Sequence, residues 1–236
     1  MFYIAIAGIE IGIDNKYEYV KRLCRGYEIE PVDAPFMTVS VSDEEISEEI
    51  ACSEINVSAA YAEGICIYRN ICKRLPELGA FLMHCAVIEY EGEGYAFAAK
   101  SGTGKSTHIL LWQKKFGEGV RIVNGDKPIL RFSEDRLYAY GTPWCGKEGY
   151  NVNTSVPLKA ICFIERAQTN SIRRIGASEA LGKIFHQLLP PDSQESVDTL
   201  FPLIDRTLTE VPFYVLGCNI SEEAAEVAYK GMNEKL

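Results

Sequence analysis

The chain has little positive charge and no long apolar run. Its 236 residues contain 24 Lys and Arg against 33 Asp and Glu, which gives a formal net charge of -9. Because nucleic-acid-binding proteins usually present a basic face, this balance argues against a nucleic-acid partner. The longest apolar stretch, at 80–88, is far shorter than the roughly 20 residues that a membrane-spanning helix requires. We therefore expect a protein that binds neither nucleic acid nor a membrane.

The N-terminal residues also lack the features of a secretory signal. No basic segment precedes their apolar run, and Glu10 interrupts that run. We expect a cytoplasmic protein without a signal peptide. The chain contains eight cysteines but no C-x-x-C pair, and most of them lie in apolar segments. This pattern argues against a zinc site or a disulfide framework and predicts buried free thiols in a reducing compartment.

The most informative stretch, residues 94–107, reads Gly-Tyr-Ala-Phe-Ala-Ala-Lys-Ser-Gly-Thr-Gly-Lys-Ser-Thr. Residues 95–99 are apolar and predict a buried strand, and residues 107–116 predict a helix. Between them, Gly102 and Gly104 permit backbone angles that side chains would forbid. The N–H groups of such a turn, and the positive end of the following helix, can surround an anion. This order of strand, turn and helix predicts a cradle for nucleotide phosphates.

The polar side chains of this turn fit a P-loop that binds Mg-ATP. In the pattern G-x-x-x-x-G-K-S/T the lysine reaches the β- and γ-phosphates and the hydroxyl binds Mg²⁺, and here these residues are Lys105 and Ser106. Ala99 stands in place of the first glycine and is small enough to end the strand. We predict ATP and Mg²⁺ as cofactors. The predicted phosphate-binding residues are Ser101, Gly102, Thr103, Gly104, Lys105, Ser106 and Thr107. The alternative is a chance glycine-rich turn before a surface helix.

An acidic residue follows the next buried strand. Residues 120–123 predict this strand, and it runs into Asn124-Gly125-Asp126-Lys127. A carboxylate at the end of a hydrophobic strand downstream of a P-loop typically holds the metal, directly or through water. We therefore predict Asp126, together with Ser106, as the Mg²⁺ ligands. The alternative is that Asp126 only forms a turn with Gly125.

Elsewhere the apolar periodicity predicts an α+β chain in two parts. Residues 1–78 would form a small N-terminal α+β region, and residues 79–236 would form the nucleotide-binding domain. In the first part the predicted elements are a bent strand or hairpin at 2–13, a helix at 16–27, a strand at 36–41, a loop or helix start at 43–49 and a helix at 58–75. In the second part the predicted strands are at 80–90, 94–99, 120–123, 128–132, 136–140, 158–165, 171–175 and 211–218. Its later helices are predicted at 178–189, at 196–208 with a break at Pro202, and after a cap at Ser221. The aperiodic loop at 141–151 predicts either a functional loop or a structural turn with Trp144 in the core.

Three of these features together resemble a known family. They are the turn at 101–107, His84 followed by a strand and a hairpin before that turn, and Gly125-Asp126 after the next strand. This set resembles the HPr kinase/phosphorylase family and, more distantly, the ATP-type phosphoenolpyruvate carboxykinases. Over about residues 79–175 the chain looks most like small HPr-kinase-related proteins, sometimes called SynE-like, that are found beside peptide-modification genes. The resemblance implies a P-loop on a mixed, strongly β sheet that is flanked by helices.

The resemblance also implies an activity and further site residues. The activity is Mg-ATP-dependent phosphorylation of a hydroxyl, most plausibly a serine of a small protein or peptide. His84 would lie near the phosphates as an acid or base, although it could instead be a core residue. Arg166, after a buried strand, is the best candidate to neutralise the transferring phosphoryl group, ahead of Lys147, Arg173 and Arg174; each could instead form a surface ion pair. We expect His108 and His186 to be structural.

The sequence departs from the family at one catalytic position. HPr kinases have two adjacent aspartates, and here Gly125 stands in place of the first. Either Asp126 serves both metal and base roles, or His84 supplies the base, or catalysis is weak or lost. The alternatives to a protein kinase are therefore an ATP-binding module in a peptide-modification system and a kinase for a small metabolite. A carboxykinase is less expected, because no lysine and histidine metal pair precedes the turn. The acceptor and any homo-oligomeric state stay open.

Overall fold

The N-terminal part of the chain forms a small sheet. The computed structural model describes residues 1–100 and 102–234. A hairpin of β1 (Phe2–Ile6) and β2 (Ile9–Asp14) turns at Ala7 and Gly8, both with positive φ, which settles the expectation at 2–13 in favour of a hairpin. Strands β3 (Glu28–Ile29) and β4 (Met37–Ser40) complete a four-stranded sheet of order β3-β1-β2-β4.

Three helices accompany this sheet. They are α1 (Glu18–Leu23), α2 (Asp43–Cys52) and α3 (Ala59–Arg74). The segment expected to be a loop or a helix start is the start of α2, because Ser42 and Glu45 form a capping box that satisfies the first free N–H groups. Ser58 caps α3, because its side chain accepts a hydrogen bond from the N–H of Tyr61. The buried residues Ile67 and Ile71 of α3 share a core with the isoleucines of β1 and β2.

The rest of the chain forms a nine-stranded mixed sheet with helices on both faces. Its strands are β5 (Ala80–Leu82), β6 (Ala86–Tyr90), β7 (Glu93–Ala98), β8 (Val120–Asn124), β9 (Ile129–Ser133), β10 (Arg136–Tyr140), β11 (Ser155–Arg166), β12 (Ser171–Ile175) and β13 (Phe213–Cys218). The helices are α4 (Lys105–Phe116), α5 (Ala177–Ile184), α6 (Gln194–Glu210) and α7 (Glu222–Asn233). The protein is therefore a mixed α+β protein, as expected.

The two faces of this sheet have separate cores. Helices α4 and α7 cover one face, where Trp112 and Ala228 pack against Tyr95 and Phe97. Helices α5 and α6 cover the other face, where Ile184 and Ile204 pack among strand residues. Trp144, from the later part of the chain, packs in the same core as the N-terminal sheet. The division of the chain into two domains near residue 79 therefore stays a prediction.

Two elements differ from the sequence expectations. The strand expected at 80–90 breaks at 83–85, because β5 pairs with β9 whereas β6 pairs with β7 and β8. Helix α6 continues through Pro202, where a break was expected. A proline removes one helical hydrogen bond, but the buried side chains of Leu200 and Ile204 anchor the helix on both sides of it.

The cysteines are free thiols, as expected. Seven of the eight are buried, and Cys52 is exposed. In the part of the chain that the structure describes, no helix has both the length and the apolar character needed to cross a membrane.

We expect a buried histidine to make the fold sensitive to acid. His108 on α4 is 2% exposed, its Nε2 accepts a hydrogen bond from Trp112 Nε1 at 3.1 Å, and burial lowers its pKa from 6.5 to about 3. Below about pH 6.5 the unfolded chain therefore binds a proton that the folded chain does not bind. We expect this group to reduce the free energy of unfolding by about 2 kcal/mol between pH 7 and pH 5.

Urea unfolding of the wild type and of His108→Gln at pH 7, 6 and 5 measures this loss. Glutamine keeps an acceptor for Trp112 and does not titrate. The wild type should lose more stability than the variant as the pH falls. Parallel losses in the two proteins would show that His108 is not the group responsible.

Candidate functional site

The glycine-rich turn joins the carboxyl end of β7, an inner strand of the large sheet, to α4. Gly102 has φ +74° and Gly104 has φ +123°, values that a side chain rarely adopts. The N–H of Thr103 donates to the carbonyl of Lys100 at 3.0 Å, which closes the turn. Helix α4 begins at Lys105 without a side-chain cap. Its first N–H groups therefore lack the usual capping partner and can bind an anion. The predicted contact residue Ser101 lies outside the described residues.

The strand directions explain why distant parts of the sequence meet here. Strands β7 and β8 are both antiparallel to β6, so their carboxyl ends lie at one edge, beside the start of β6. The residues that follow β7 form the turn, those that follow β8 include Asp126, and His84 lies just before β6. The break at 83–85, which the sequence pattern did not indicate, is what places His84 at this edge instead of within a strand.

Asp126 is surrounded by three cationic or hydrogen-bonding side chains. Its Oδ1 accepts from Lys105 Nζ at 2.8 Å and from His84 Nε2 at 2.9 Å, and its Oδ2 accepts from Lys127 Nζ at 2.7 Å. Burial alone would raise the pKa of Asp126, but the hydrogen bond from His84 and the charges of Lys127 and Lys105 outweigh it and hold the pKa well below its usual range. The structure thus brings His84, Lys105 and Asp126 together, with Asp126 ionised.

The backbone of this aspartate is held by a residue that sequence reasoning missed. Asn124 is fully buried at the end of β8, and its Oδ1 accepts from the N–H groups of Asp126 at 2.9 Å and Lys127 at 2.7 Å. Its Nδ2 donates to the carbonyl of Thr142 at 3.0 Å. The sequence offered one indication of this role, because Asn124 is a polar residue directly after the apolar strand predicted at 120–123. Lys127 was also missed, although it adjoins Asp126 in the sequence.

The loop at 141–151 closes over this cluster. Trp144 stacks on Tyr68 at 4.3 Å between ring centroids and donates from Nε1 to the carbonyl of Gly64 at 2.9 Å, so the structural alternative holds for this side chain. Gly146 has φ +83°, and a Cβ there would lie 3.1 Å from the Cβ of Asp126. The loop as a whole therefore packs directly against the aspartate.

The same loop closes the position where the resemblance implies another carboxylate. The N–H of Gly125 donates to the carbonyl of Tyr150 at 2.8 Å, and a Cβ at Gly125 would lie 3.1 Å from the carbonyl oxygen of Cys145. An aspartate at this position would require the backbone near Cys145 to move. The backbone of the loop thus packs closely against Gly125.

Of the predicted cations, Arg166 is the one at the turn. It ends β11, which runs parallel to β7, and its guanidinium donates to the carbonyls of Thr103, with Nε at 3.2 Å, and of Gly102. Arg173 and Arg174 lie on β12 and line a separate cleft, and Arg173 pairs with Glu179. Arg166 therefore supports the backbone of the turn.

Two open clefts flank the turn. One, of about 650 Å³, is lined by residues that include Lys100, Arg166 and His186. The other, of about 490 Å³, is lined by residues that include Thr107 and Ile220. A molecule larger than a phosphate ion can therefore reach the turn from either side.

The donor set around the turn fits magnesium that enters with a nucleotide. Among residues 1–100 and 102–234, no group of three or more His, Cys, Asp or Glu side chains could hold a metal. Mg²⁺ usually takes only one or two protein oxygens and completes its shell with phosphates and water. Two protein oxygens, the Ser106 hydroxyl and the Asp126 carboxylate, are predicted for this role, and this number agrees with that preference. Both carboxylate oxygens of Asp126 bind cationic groups here, so a metal would have to replace at least one of them.

The fold and the site define a class of protein and then a family. The class is a mixed α+β protein in which a glycine-rich turn and an uncapped helix start lie beside an ionised aspartate. Residues 63–227 match the family described as "SynChlorMet cassette protein ScmC", and the chain belongs to this family. No curated protein matches it. Among solved structures, the Hpr(Ser) kinase/phosphatase from Coxiella burnetii is similar over 63% of this chain and 94% of that chain, with 9% identity and a TM-score of 0.37. A likeness this weak carries no argument about function.

Proposed function

We propose that the protein is an Mg-ATP-dependent phosphotransferase that moves the γ-phosphoryl group of ATP to the hydroxyl of a serine in a small protein or peptide. The observation that carries this proposal is the cluster of Lys105, His84 and Asp126 directly beside the start of α4. A lysine, an ionised carboxylate and free helix N–H groups are among the parts that recur in phosphoryl-transfer sites.

Phosphate binding would begin with the turn and Lys105. The N–H groups of residues 102–107 would surround the phosphates, and the positive end of α4 would add to the attraction. Lys105 Nζ donates a hydrogen bond to Asp126 Oδ1 at 2.8 Å. We propose that the lysine side chain leaves Asp126 and binds the phosphates when the nucleotide binds. Arg166 would keep the carbonyls of Gly102 and Thr103 turned away from the anion.

Mg²⁺ would be held by the Ser106 hydroxyl and Asp126, and it would neutralise charge between the β- and γ-phosphates. If Lys105 moves to the phosphates, it would leave one position on Asp126 Oδ1 free to bind Mg²⁺. Because its pKa is low, the Asp126 carboxylate is already ionised and would release no proton when Mg²⁺ binds. The second lysine, Lys127, would stay on Oδ2 and hold the carboxylate in place.

The acceptor hydroxyl would lose its proton to His84. With Nε2 bonded to Asp126, Nδ1 is the ring atom left to accept a proton. The side chain of His84 is 37% exposed, so an acceptor can approach it. Gly125 stands where HPr kinases have the first aspartate, so His84 would take the role of base that the resemblance assigns to that aspartate.

The proposal is tested by mixing the protein with Mg²⁺, γ-labelled ATP, and serine peptides or small proteins from its own cell. Mass spectrometry should detect phosphoserine. Lys105→Ala should lower the transfer rate by at least about 100-fold, because removal of one preorganised group that stabilises developing charge typically costs that much. The control is Lys114→Ala on the same helix, whose side chain is 69% exposed. Equal rates in wild type and Lys105→Ala would contradict the proposal.

A second candidate is an ATP-binding module that assists peptide modification without turnover. The residue that favours it is Gly125, because the first of the two adjacent aspartates of HPr kinases is absent there. ATP binding without transfer to any serine acceptor would support this module. Labelling of a free metabolite instead would indicate a small-molecule kinase.

A further inference from the structure

A further cleft lies near Asp126, between the N-terminal helices and the loop at 141–151. It encloses about 460 Å³ and is lined by α1, α3 and residues 143–147. Two pairs of rings form much of its wall. Tyr19 and Tyr61 lie 6.0 Å apart between centroids, and Tyr68 stacks on Trp144 at 4.3 Å. We name this cleft the aromatic groove.

The charged residues of the aromatic groove are all basic. Arg69, Lys127 and Lys147 line it, and no Asp or Glu does so among the described residues. The whole chain has the opposite balance, with 33 acidic and 24 basic residues. Arg69 pairs with Glu49, and Lys127 pairs with Asp126. Lys147 is exposed and forms no ion pair within residues 1–100 and 102–234. The groove therefore offers positive charge to an anionic ligand.

The aromatic groove is continuous with the candidate site. Lys127 lines the groove, and its Nζ donates to Asp126 Oδ2 at 2.7 Å. Gly146 also lines the groove, and a Cβ at that position would lie 3.1 Å from the Cβ of Asp126. A molecule bound along the rings would thus end beside the carboxylate.

We propose that the aromatic groove binds an extended peptide segment that carries an aromatic or branched apolar side chain next to a carboxylate. The rings suit the apolar side chain, and Lys147 suits the acidic one. Two separate ring pairs and Lys147 give contacts for several successive residues, which favours a peptide over a single amino acid. We also propose that the bound segment carries the serine that accepts the phosphoryl group. This second part rests on the proposed function, whereas binding of the segment does not.

Binding can be measured without ATP, so the result does not depend on phosphoryl transfer. The protein is immobilised and offered a library of ten-residue peptides with one fixed serine, and the retained peptides are sequenced by mass spectrometry. We expect enrichment of aromatic or branched apolar residues together with Asp or Glu. Fluorescence anisotropy with an enriched peptide should show about tenfold weaker binding by Tyr61→Ala and by Lys147→Glu.

Two controls test whether these losses are local to the groove. Tyr61 is 45% exposed and is matched by Phe36→Ala, at 57% exposure outside the groove. Lys147→Glu is matched by Arg25→Glu, an exposed cation outside the groove lining. Both controls should bind like the wild type. Unchanged binding in both groove variants, an absence of enriched peptides, or full competition by equimolar N-acetylphenylalanine would overturn the proposal. Groove binding without phosphoryl transfer would instead show that the proposed function alone has failed.

Discussion

Asp126→Asn should reduce phosphoryl transfer by about 1,000-fold or more, since loss of a metal ligand removes most of the charge neutralisation in such reactions. Asparagine has nearly the same shape but no negative charge. Lys105, Lys127 and His84 would then lose the anion that they share. We expect the variant to bind ATP with little dependence on Mg²⁺, because Ser106 alone would remain as a protein ligand.

The measurement is the initial rate of phosphoserine formation at saturating ATP over a series of Mg²⁺ concentrations. Asp135→Asn is the matched control, because this exposed aspartate lies in the turn between β9 and β10. Circular dichroism shows whether each variant is folded. A folded Asp126→Asn protein with the wild-type rate and the wild-type Mg²⁺ dependence would remove Asp126 from the metal site.

Gly141→Ala should have the largest effect on stability. A Cβ at this position would lie 1.9 Å from the carbonyl oxygen of Val152 and 2.8 Å from that of Val123. Both obstacles are backbone atoms, and they cannot separate freely because the N–H of Val152 donates to the carbonyl of Val123 at 3.1 Å. We expect a loss of about 3 kcal/mol or more in the free energy of unfolding, or no folded protein.

Urea denaturation measures this loss, and Gly182→Ala is the control. A Cβ at Gly182 in α5 meets no atom within 4 Å, so alanine there should raise stability by up to about 1 kcal/mol through its helix propensity. If Gly141→Ala were as stable as the wild type, residues 141–154 could not pack on β8 as described. The support for Asp126 from this loop would then be in doubt.

Much of the fold follows from local sequence patterns. The hairpin at β1 and β2, the caps of α2 and α3, and the unit of β7, turn and α4 each depend on residues close together in the chain. Lys105 and Asp126 were predictable for a similar reason, because each adjoins a strand whose apolar pattern is clear. The N-terminal domain boundary and the cofactors stay predictions.

The remaining features depend on contacts between distant segments. Asn124 holds Asp126 only because Thr142 returns to the end of β8, and Tyr68 reaches the carbonyl of Lys127 from a helix 59 residues earlier in the chain. The break at 83–85 arises because neighbouring strands pair with different partners, which an unbroken apolar run does not reveal. Tertiary packing decides such cases, and local propensity does not.

Calorimetric titration of ATP into the purified protein, with and without Mg²⁺, tests most directly whether the turn at residues 102–107 holds the phosphates of Mg-ATP. We predict binding by the wild type that strengthens with Mg²⁺, loss of that binding in Lys105→Ala, and wild-type binding in Lys114→Ala. No ATP binding by the wild type, or equal binding by Lys105→Ala, would contradict this role of the turn and with it the proposed phosphotransferase.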